Sequence, residues 1–183
     1  MKTAFTGLAL LLSLQTAAAF ELGKLALAGS GCFGGNHVVA IEGEASRYAL
    51  PIRVRLNKKG DAVFDRKTCN MRLPVSLNAG EKLQILDLSQ TVRVIADKDA
   101  DVKSTLNFSL VGKKSNPLTF AVKAVDDRIS VIDNLKSEGL LAESACGADT
   151  MVTGDLNILA TGNAKALAST GTALVTLKVV TCN

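Results

Sequence analysis

Residues 71–77, Met-Arg-Leu-Pro-Val-Ser-Leu, decide the fold of this chain. Their odd positions are apolar, and the even positions between them hold arginine, proline and serine. A period of two is typical of a β-strand that buries one face. Because Pro74 cannot donate a hydrogen bond to a neighbouring strand, we expect this strand to lie at a sheet edge or to contain a bulge.

The same kind of pattern extends over most of the chain. Further strands are predicted at residues 38–41, 52–56, 92–96, 102–110, 118–124, 156–160 and 173–179, and turn residues separate several of them. Helical spacing is limited to residues 132–143 and 164–168. The sequence therefore predicts an all-β, single-domain antiparallel β-sandwich, jelly-roll-like or Greek key, with at most one or two short helices.

The N-terminus has the features of a signal peptide. Lys2 precedes the apolar residues 7–14, and three alanines end at Ala19. The apolar stretch is shorter than the about 20 residues that a membrane-spanning helix needs. We therefore predict a signal peptide over residues 1–19 and a secreted β-sandwich domain over residues 20–183. After cleavage before Phe20 no transmembrane segment is expected, and the predicted location is secreted or periplasmic.

Four cysteines lie in the predicted mature chain, at Cys32, Cys69, Cys146 and Cys182. An even number of cysteines after a signal peptide indicates disulfides formed in an oxidising compartment. No two are spaced as Cys-x-x-Cys, which argues against a redox motif or a zinc knuckle. Three pairings are possible, and we favour Cys32 with Cys69 and Cys146 with Cys182, because each bridge then joins residues within one half of the chain.

The residues around the cysteines also carry a resemblance. They read Gly29-Ser30-Gly31-Cys32, Arg66-Lys67-Thr68-Cys69 and Ser144-Ala145-Cys146-Gly147, with Cys182 after the last strand. In this order and spacing the chain resembles a family of small secreted four-cysteine β proteins of bacteria and fungi, catalogued as a domain of unknown function. The resemblance implies secretion and a β fold, and it brings no catalytic residues with it.

Two short motifs match binding loops only in part. Residues 29–34 fit Gly-x-Gly-x-x-Gly, but the residues that follow do not have a helical pattern, so a turn near the first disulfide is favoured over a nucleotide site. The second motif consists of Asp97, Asp99 and Asp101. Val102 and Phe108 occupy the glycine and glutamate positions of an EF-hand, which excludes that site. Another calcium geometry, with Asp126 and Asp127 nearby, stays a candidate beside a solvated acidic turn.

Catalytic motifs are absent from the sequence. His37 is the one histidine, and no Gly-x-Ser-x-Gly segment occurs, so the sequence does not supply a recognisable hydrolase triad. The chain has one tyrosine and no tryptophan on which a sugar ring could stack. The composition thus disfavours an enzyme without excluding one, and it predicts no cofactor.

Basic residues are concentrated between Arg53 and Arg72. The candidate anion-binding residues are Arg53, Arg55, Lys58, Lys59, Arg66, Lys67 and Arg72. Only two acids oppose these seven cations, whereas the predicted mature chain carries 20 basic against 17 acidic residues. Arg53 and Arg55 share one face of a predicted strand. The segment could bind an anionic cell-envelope or extracellular polymer, or it could be a solvated face that keeps a sheet edge soluble.

No motif in the sequence identifies a specific function. A non-catalytic binding or surface-structural module is favoured, and a small extracellular enzyme or enzyme inhibitor acting through loops is the alternative. Nucleic acid is not an expected partner, because the basic segment lacks interleaved aromatic residues. A concave site with convergent carboxylates would favour the enzyme, whereas a basic sheet face would favour the binding module.

Overall fold

A computed structural model describes residues 20–35, 37–41, 46–110, 113–147 and 149–182. The predicted signal peptide, residues 1–19, lies outside the described residues. The strands are β1 (Glu21–Leu22), β2 (Ala26–Ala28), β3 (Val39–Ala40), β4 (Arg47–Leu50), β5 (Arg55–Lys58), β6 (Phe64–Ser76), β7 (Glu81–Asp97), β8 (Asp101–Leu110), β9 (Lys113–Lys114), β10 (Leu118–Lys123), β11 (Arg128–Ser137), β12 (Ala142–Glu143), β13 (Thr150–Thr161), β14 (Ala166–Thr170) and β15 (Ala173–Thr181).

These strands form two antiparallel sheets that pack face to face. The first sheet, called sheet I here, has the order β1-β6-β13-β8-β10, with β2 beside β6 and β9 beside β8. Sheet II has the order β3-β4-β15-β7-β14-β5, with β11 and β12 on the other side of β7. From β5 to β8 successive strands alternate between the sheets, as in a jelly-roll-like sandwich. The predicted all-β sandwich is confirmed.

The core lies between the two sheets and follows the alternation of the sequence. Buried residues at every second position of β6 face buried residues of β7, with β8, β13 and β15 completing the two inner layers. Leu73, Phe108 and Leu177 are among the side chains with no exposed surface. Burial of alternate apolar side chains from long strands thus fixes which face of each sheet is turned outward.

A bulge in β7 explains why the first half of that strand was not predicted. Val175 of β15 is opposite Leu88, whereas the next residue, Thr176, is opposite Leu86, so Asp87 has no partner of its own. An extra residue reverses the alternation of inward and outward side chains. The inward positions are accordingly Leu83 and Ile85 before the bulge and even-numbered residues after it.

Both segments with helical spacing are strands in the structure, which agrees with the expectation of at most one or two short helices. Residues 132–143 contain most of β11, which pairs with β7 over ten residues, and then β12. Residues 164–168 overlap β14, a strand inserted between β7 and β5. Tertiary pairing outweighs local propensity in both places. No described segment is a helix, and the described residues accordingly include no helix long and apolar enough to cross a membrane.

Pro74 lies where β6 has no continuous neighbouring strand on one side. Its carbonyl accepts a hydrogen bond from the Gly23 amide at 2.8 Å, in the gap between β1 and β2. Because the amide and carbonyl of a strand residue point to the same side, the proline nitrogen also faces this gap. β6 is therefore one strand in from the sheet edge, and the donor that proline lacks would point toward the gap between β1 and β2, away from β13.

Both predicted disulfides are confirmed. Cys32 is bonded to Cys69 and Cys146 to Cys182, with Cα separations of 4.7 Å and 6.0 Å. The first bridge ties the N-terminal segment to the middle of β6. The second ties the residue after β15 to the segment after β12. Two disulfides are compatible with an exported protein.

Candidate functional site

The structure divides the predicted basic segment between the two sheets. Arg55 extends from β5 on the outer face of sheet II, because its neighbours Val54 and Leu56 are buried. Arg66 and Arg72 are exposed on β6, where the alternate residues face the core of sheet I. The chain crosses from one sheet to the other between β5 and β6. Residues that are close in sequence are thereby placed on opposite sides of the sandwich.

Two of the predicted lysines are not free to form a surface site. Lys58 is only 1% exposed, and its Nζ donates to the carbonyl oxygens of Ala164 at 2.6 Å and Lys59 at 3.2 Å. Its role is to join the end of β5 to the turn before β14. Lys67 forms a salt bridge with Asp65 at 3.4 Å. The Lys58 ammonium is therefore held by backbone carbonyls instead of being exposed on the surface.

Arg53 and Arg55 meet at an aromatic ring. The guanidinium carbons of both residues lie over Phe33, at 5.5 Å and 5.1 Å from the ring centroid. Such cation–π contacts hold a guanidinium in place and leave its N–H groups available. The Arg53 Nε is buried and has no hydrogen-bond partner among the described residues. The predicted common face of these two arginines is confirmed.

Phe33 is held there by the glycine-rich segment. Cys32 forms an isolated bridge with Val54, and the Gly31 amide donates to Thr68 at 3.0 Å. At Gly34, φ is +106°, and a Cβ atom would lie 2.4 Å from an Arg53 nitrogen. The segment is a close-packed connection beside the first disulfide, and the described residues that follow it, 37–41, are not helical. This supports the predicted structural role over a nucleotide-binding one.

Further basic residues join Arg55 on the outer face of sheet II. Strands β5, β14, β7 and β11 are adjacent and in register. Their opposed residues form two rows, with Arg55, Ser169, Arg93 and Ile132 in one and Asn57, Leu167, Ile95 and Ser130 in the next. One row thus carries two arginines, and the other has two apolar residues at its centre.

These rows line a groove, named the basic groove here. It consists of a hollow of about 750 Å³ and an adjoining one of about 350 Å³, which share Asn57, Ile95 and Leu167. Its exposed cations are Arg55, Lys59, Arg93, Arg128 and Lys165, its acids are Asp61 and Asp97, and the buried Lys58 also lines it. All five cations are exposed, and none forms a salt bridge with another described residue. Cations thus surround an apolar floor.

The predicted acidic loop is folded against a second loop. The Lys98 amide donates to Asp127 at 3.0 Å, and the Asp99 amide donates to Ala124 at 2.9 Å. These backbone hydrogen bonds therefore place the segment that contains Asp126 and Asp127 next to the predicted acidic loop. Across the described ranges, however, no group of three acidic, histidine or cysteine side chains could hold a metal ion.

A separate cleft contains two carboxylates. It measures about 340 Å³ and includes Asp87, Glu138, Arg47 and Lys136, so its acids and bases are equal in number. The Asp87 carboxylate accepts a hydrogen bond from the Gly139 amide at 3.0 Å, which fixes the turn after β11. His37 is exposed and does not line this cleft.

The chain is a disulfide-bonded β-sandwich, and comparisons add little to this description. No family model matches it, and neither does any curated protein. The resemblance to the four-cysteine family stays a prediction.

Three solved structures are distantly similar. TmCBM61 in complex with β-1,4-galactotriose has 8% identity over 88% of each chain and a TM-score of 0.23. A family 11 carbohydrate-binding module from Clostridium thermocellum, in complex with a mixed-linked tetrasaccharide, has 5% identity, 76% and 94% coverage and a TM-score of 0.27. The enzymatically active domain of bacteriophage CBA120 tailspike protein 4 has 8% identity, 81% and 19% coverage and a TM-score of 0.21. These scores are too low to support an inference about a ligand.

Arg93, Arg128 and Lys165 were not predicted as site residues. Each lies in a different part of the sequence, and only the pairing of β7, β11 and β14 brings them to Arg55. Arg93 lies inside the strand that was predicted at residues 92–96, so its outward position could be read from the alternation with the buried Val92 and Val94. Arg128 is the first residue of β11, and Lys165 directly precedes β14. Neither of these strands was predicted from the sequence.

Proposed function

We propose that this protein is a non-catalytic binding module that holds an anionic polymer in the basic groove. One observation carries the proposal: five exposed cations without a salt-bridge partner in the described chain surround a continuous groove on one sheet face. A surface that only needs to be soluble intersperses both signs of charge. Here the five exposed cations exceed the two acids by three positive charges, and the buried Lys58 adds a fourth.

The ligand chemistry follows from the groove's two kinds of surface. Arginine donates paired hydrogen bonds to carboxylate, phosphate or sulfate groups. The floor formed by Ile95 and Leu167, with Leu167 45% exposed, can pack against the apolar parts of a polymer repeat. A surface groove that crosses four adjacent strands suits an extended chain better than a small enclosed ligand. Acidic polysaccharides of a cell envelope or extracellular matrix meet these requirements.

Binding to polygalacturonate tests the proposal. We expect the unaltered protein to be retained on immobilised polygalacturonate at low salt and released as salt rises, because exposed charges are screened over about 8 Å at physiological ionic strength. The double substitution Arg55→Glu with Arg93→Glu reverses two charges, so it removes two attractions to the polymer and adds two repulsions. At about 0.2–1 kcal/mol for each of these four contributions, the affinity should fall at least about fourfold.

A matched control uses the opposite sheet. Lys103→Glu with Lys123→Glu makes the same change in net charge at two exposed residues of β8 and β10. We expect this variant to lose much less affinity than the groove variant. Equal losses would mean that net charge, rather than the basic groove, controls retention, and would contradict the proposal.

A further inference from the structure

The outer face of sheet I has a different character from the basic groove. Its centre carries amide, hydroxyl and carboxylate side chains on three adjacent strands, β6, β13 and β8. They form two rows in register, Asn70, Asp155 and Asn107 in one and Thr68, Asn157 and Thr105 in the other. We call these six residues the amide patch. They line a shallow hollow of about 310 Å³, together with Arg66 and Leu156.

The residue types in this patch are unfavourable for strands. Asparagine and aspartate are depleted in β-structure, yet four of them lie at the centre of the sheet on neighbouring strands. Positions that break a local preference without a structural gain are expected at functional sites. No structural gain is evident here, because the side chains of Asn70, Asn107 and Asp155 have no hydrogen-bond partner among the described residues.

One side-chain contact inside the patch orients an amide. The Arg66 Nε donates to Asn157 Oδ1 at 2.8 Å. This uses the acceptor of Asn157 and leaves its Nδ2 without a partner in the described chain. It also occupies part of the one guanidinium in the hollow, which makes the hollow less suited to anions than the basic groove.

The strands beneath the patch provide a rigid support. The residues between the patch positions point inward, and Cys69, Phe108 and Leu156 have no exposed surface. Cys69 is in addition bonded to Cys32. Side chains on packed strands of this kind hold their relative positions better than side chains on loops.

We propose that the amide patch is a second binding site and that it takes the hydroxyl groups of a neutral saccharide. Each amide both donates and accepts hydrogen bonds, each threonine hydroxyl does the same, and Asp155 accepts. Sugar hydroxyls require this mixture of donors and acceptors. A cation would need more than the one carboxylate present, since Ca²⁺ takes six to eight oxygen ligands. This site lies on the other sheet from the basic groove and goes beyond the proposed function.

The test titrates the ¹⁵N-labelled protein with four neutral tetrasaccharides, cellotetraose, maltotetraose, xylotetraose and mannotetraose, at up to about 20 mM, which detects millimolar Kd values. We expect at least one to shift the side-chain amide resonances of Asn70, Asn107 and Asn157. No aromatic platform lies in the patch, so the affinity should rest on hydrogen bonds alone. Shifts with none of the four sugars, or shifts with Ca²⁺ only, would overturn the proposal.

A variant separates binding from folding. In Asn70→Val with Asn107→Val, two strand-averse residues are replaced by a strand-favouring one that has no hydrogen-bonding side chain, so the melting temperature should rise by a few degrees. Loss of two hydrogen bonds should weaken the saccharide at least about fivefold. Asn134→Val on β11 of sheet II is the matched control, expected to bind the saccharide unchanged. Unaltered binding by the double variant would refute the assignment.

Discussion

The segment around the first disulfide depends on single glycines. At Gly29, φ is +141°, and an added Cβ atom would lie 2.2 Å from the Thr68 carbonyl oxygen, which belongs to the backbone of β6. A backbone atom of a central strand cannot move aside as a flexible side chain can. The glycine is therefore what allows the chain to approach β6 and place Cys32 beside Cys69.

This gives a prediction for Gly29→Ala. The substitution combines a disfavoured backbone conformation with a close contact, and we expect it to lower the free energy of unfolding by about 2–3 kcal/mol. The measurement is the urea midpoint of the oxidised protein. Gly35→Ala is the control, because an added Cβ there has no neighbour within 4 Å. Similar midpoints for the two variants would contradict the account of Gly29.

Among the elements, the strands that could be predicted are those with one fully buried face. Residues 102–110 and 173–179 alternate cleanly because they lie inside the sheets, and both were found as β8 and β15. β11 could not be predicted in this way. It pairs on one side only, its outward Ile132 is 58% exposed, and its inward Asp133 is also exposed, so burial imposes no regular pattern on its sequence. β14 is alanine-rich, and its strand state comes from its two neighbours.

The C-terminal elements are joined by the second disulfide. The Cys182 amide donates to Gly80, and the Gly147 amide donates to Glu81, each at 2.7 Å. Three chain segments therefore meet at the Cys146–Cys182 bridge: the turn before β7, the end of β15 and the segment after β12. The bridge stabilises the end of the sandwich at which the hydrogen-bond ladder between β7 and β15 ends.

Removal of each disulfide tests how much it stabilises the segments that it joins. For loops of 37 and 36 residues, chain entropy predicts that each bridge stabilises by about 4 kcal/mol. Since domains are stable by about 5–15 kcal/mol, Cys32→Ser with Cys69→Ser, or Cys146→Ser with Cys182→Ser, should leave a weakened fold, and all four changes together should unfold it. Urea denaturation of the three variants makes the comparison. A wild-type midpoint in either double variant would show that its bridge is not structural.

At the scale of the whole molecule, the sandwich presents two chemically different outer faces. Sheet II carries the basic groove, and sheet I carries the amide patch. The sequence indicated the excess of cations, and Arg55 was among the predicted residues. It could not indicate the groove, because Arg93, Arg128 and Lys165 reach it from three separate strands or turns. It also could not indicate that Arg66 and Arg72 lie on the other sheet, since that depends on the crossing between β5 and β6.

The amide patch was beyond sequence prediction for the same reason. Asn70, Asn107 and Asp155 are isolated polar residues in the sequence, each between buried neighbours, and each alone is an ordinary outward position of a strand. Their significance depends on the register of β6, β13 and β8, which aligns them in one row. Register is a tertiary property that depends on the whole pattern of buried residues.

The placement of the two bridges also determines how the molecule responds to tension. Each bridge closes a loop, and a force applied at Phe20 and Cys182 would pass across the sulfur atoms and bypass both loops. The loops contain 37 and 36 residues, together 73, which correspond to about 250 Å of extended chain. Single-molecule pulling should therefore give an extension about 250 Å shorter for the oxidised than for the reduced protein, and equal extensions would contradict this.

The two disulfides therefore limit how far the molecule can be extended. Under load only residues 20–32 and the chain between Cys69 and Cys146 can be drawn out, which covers β1, β2, most of β6 and all of β7 to β12. The Phe33 segment and β5 at one end, and β13, β14 and β15 at the other, lie inside loops that carry no tension. A tether built in this way lengthens by a limited amount and then resists, with its strength set by two sulfur–sulfur bonds instead of by strand pairing.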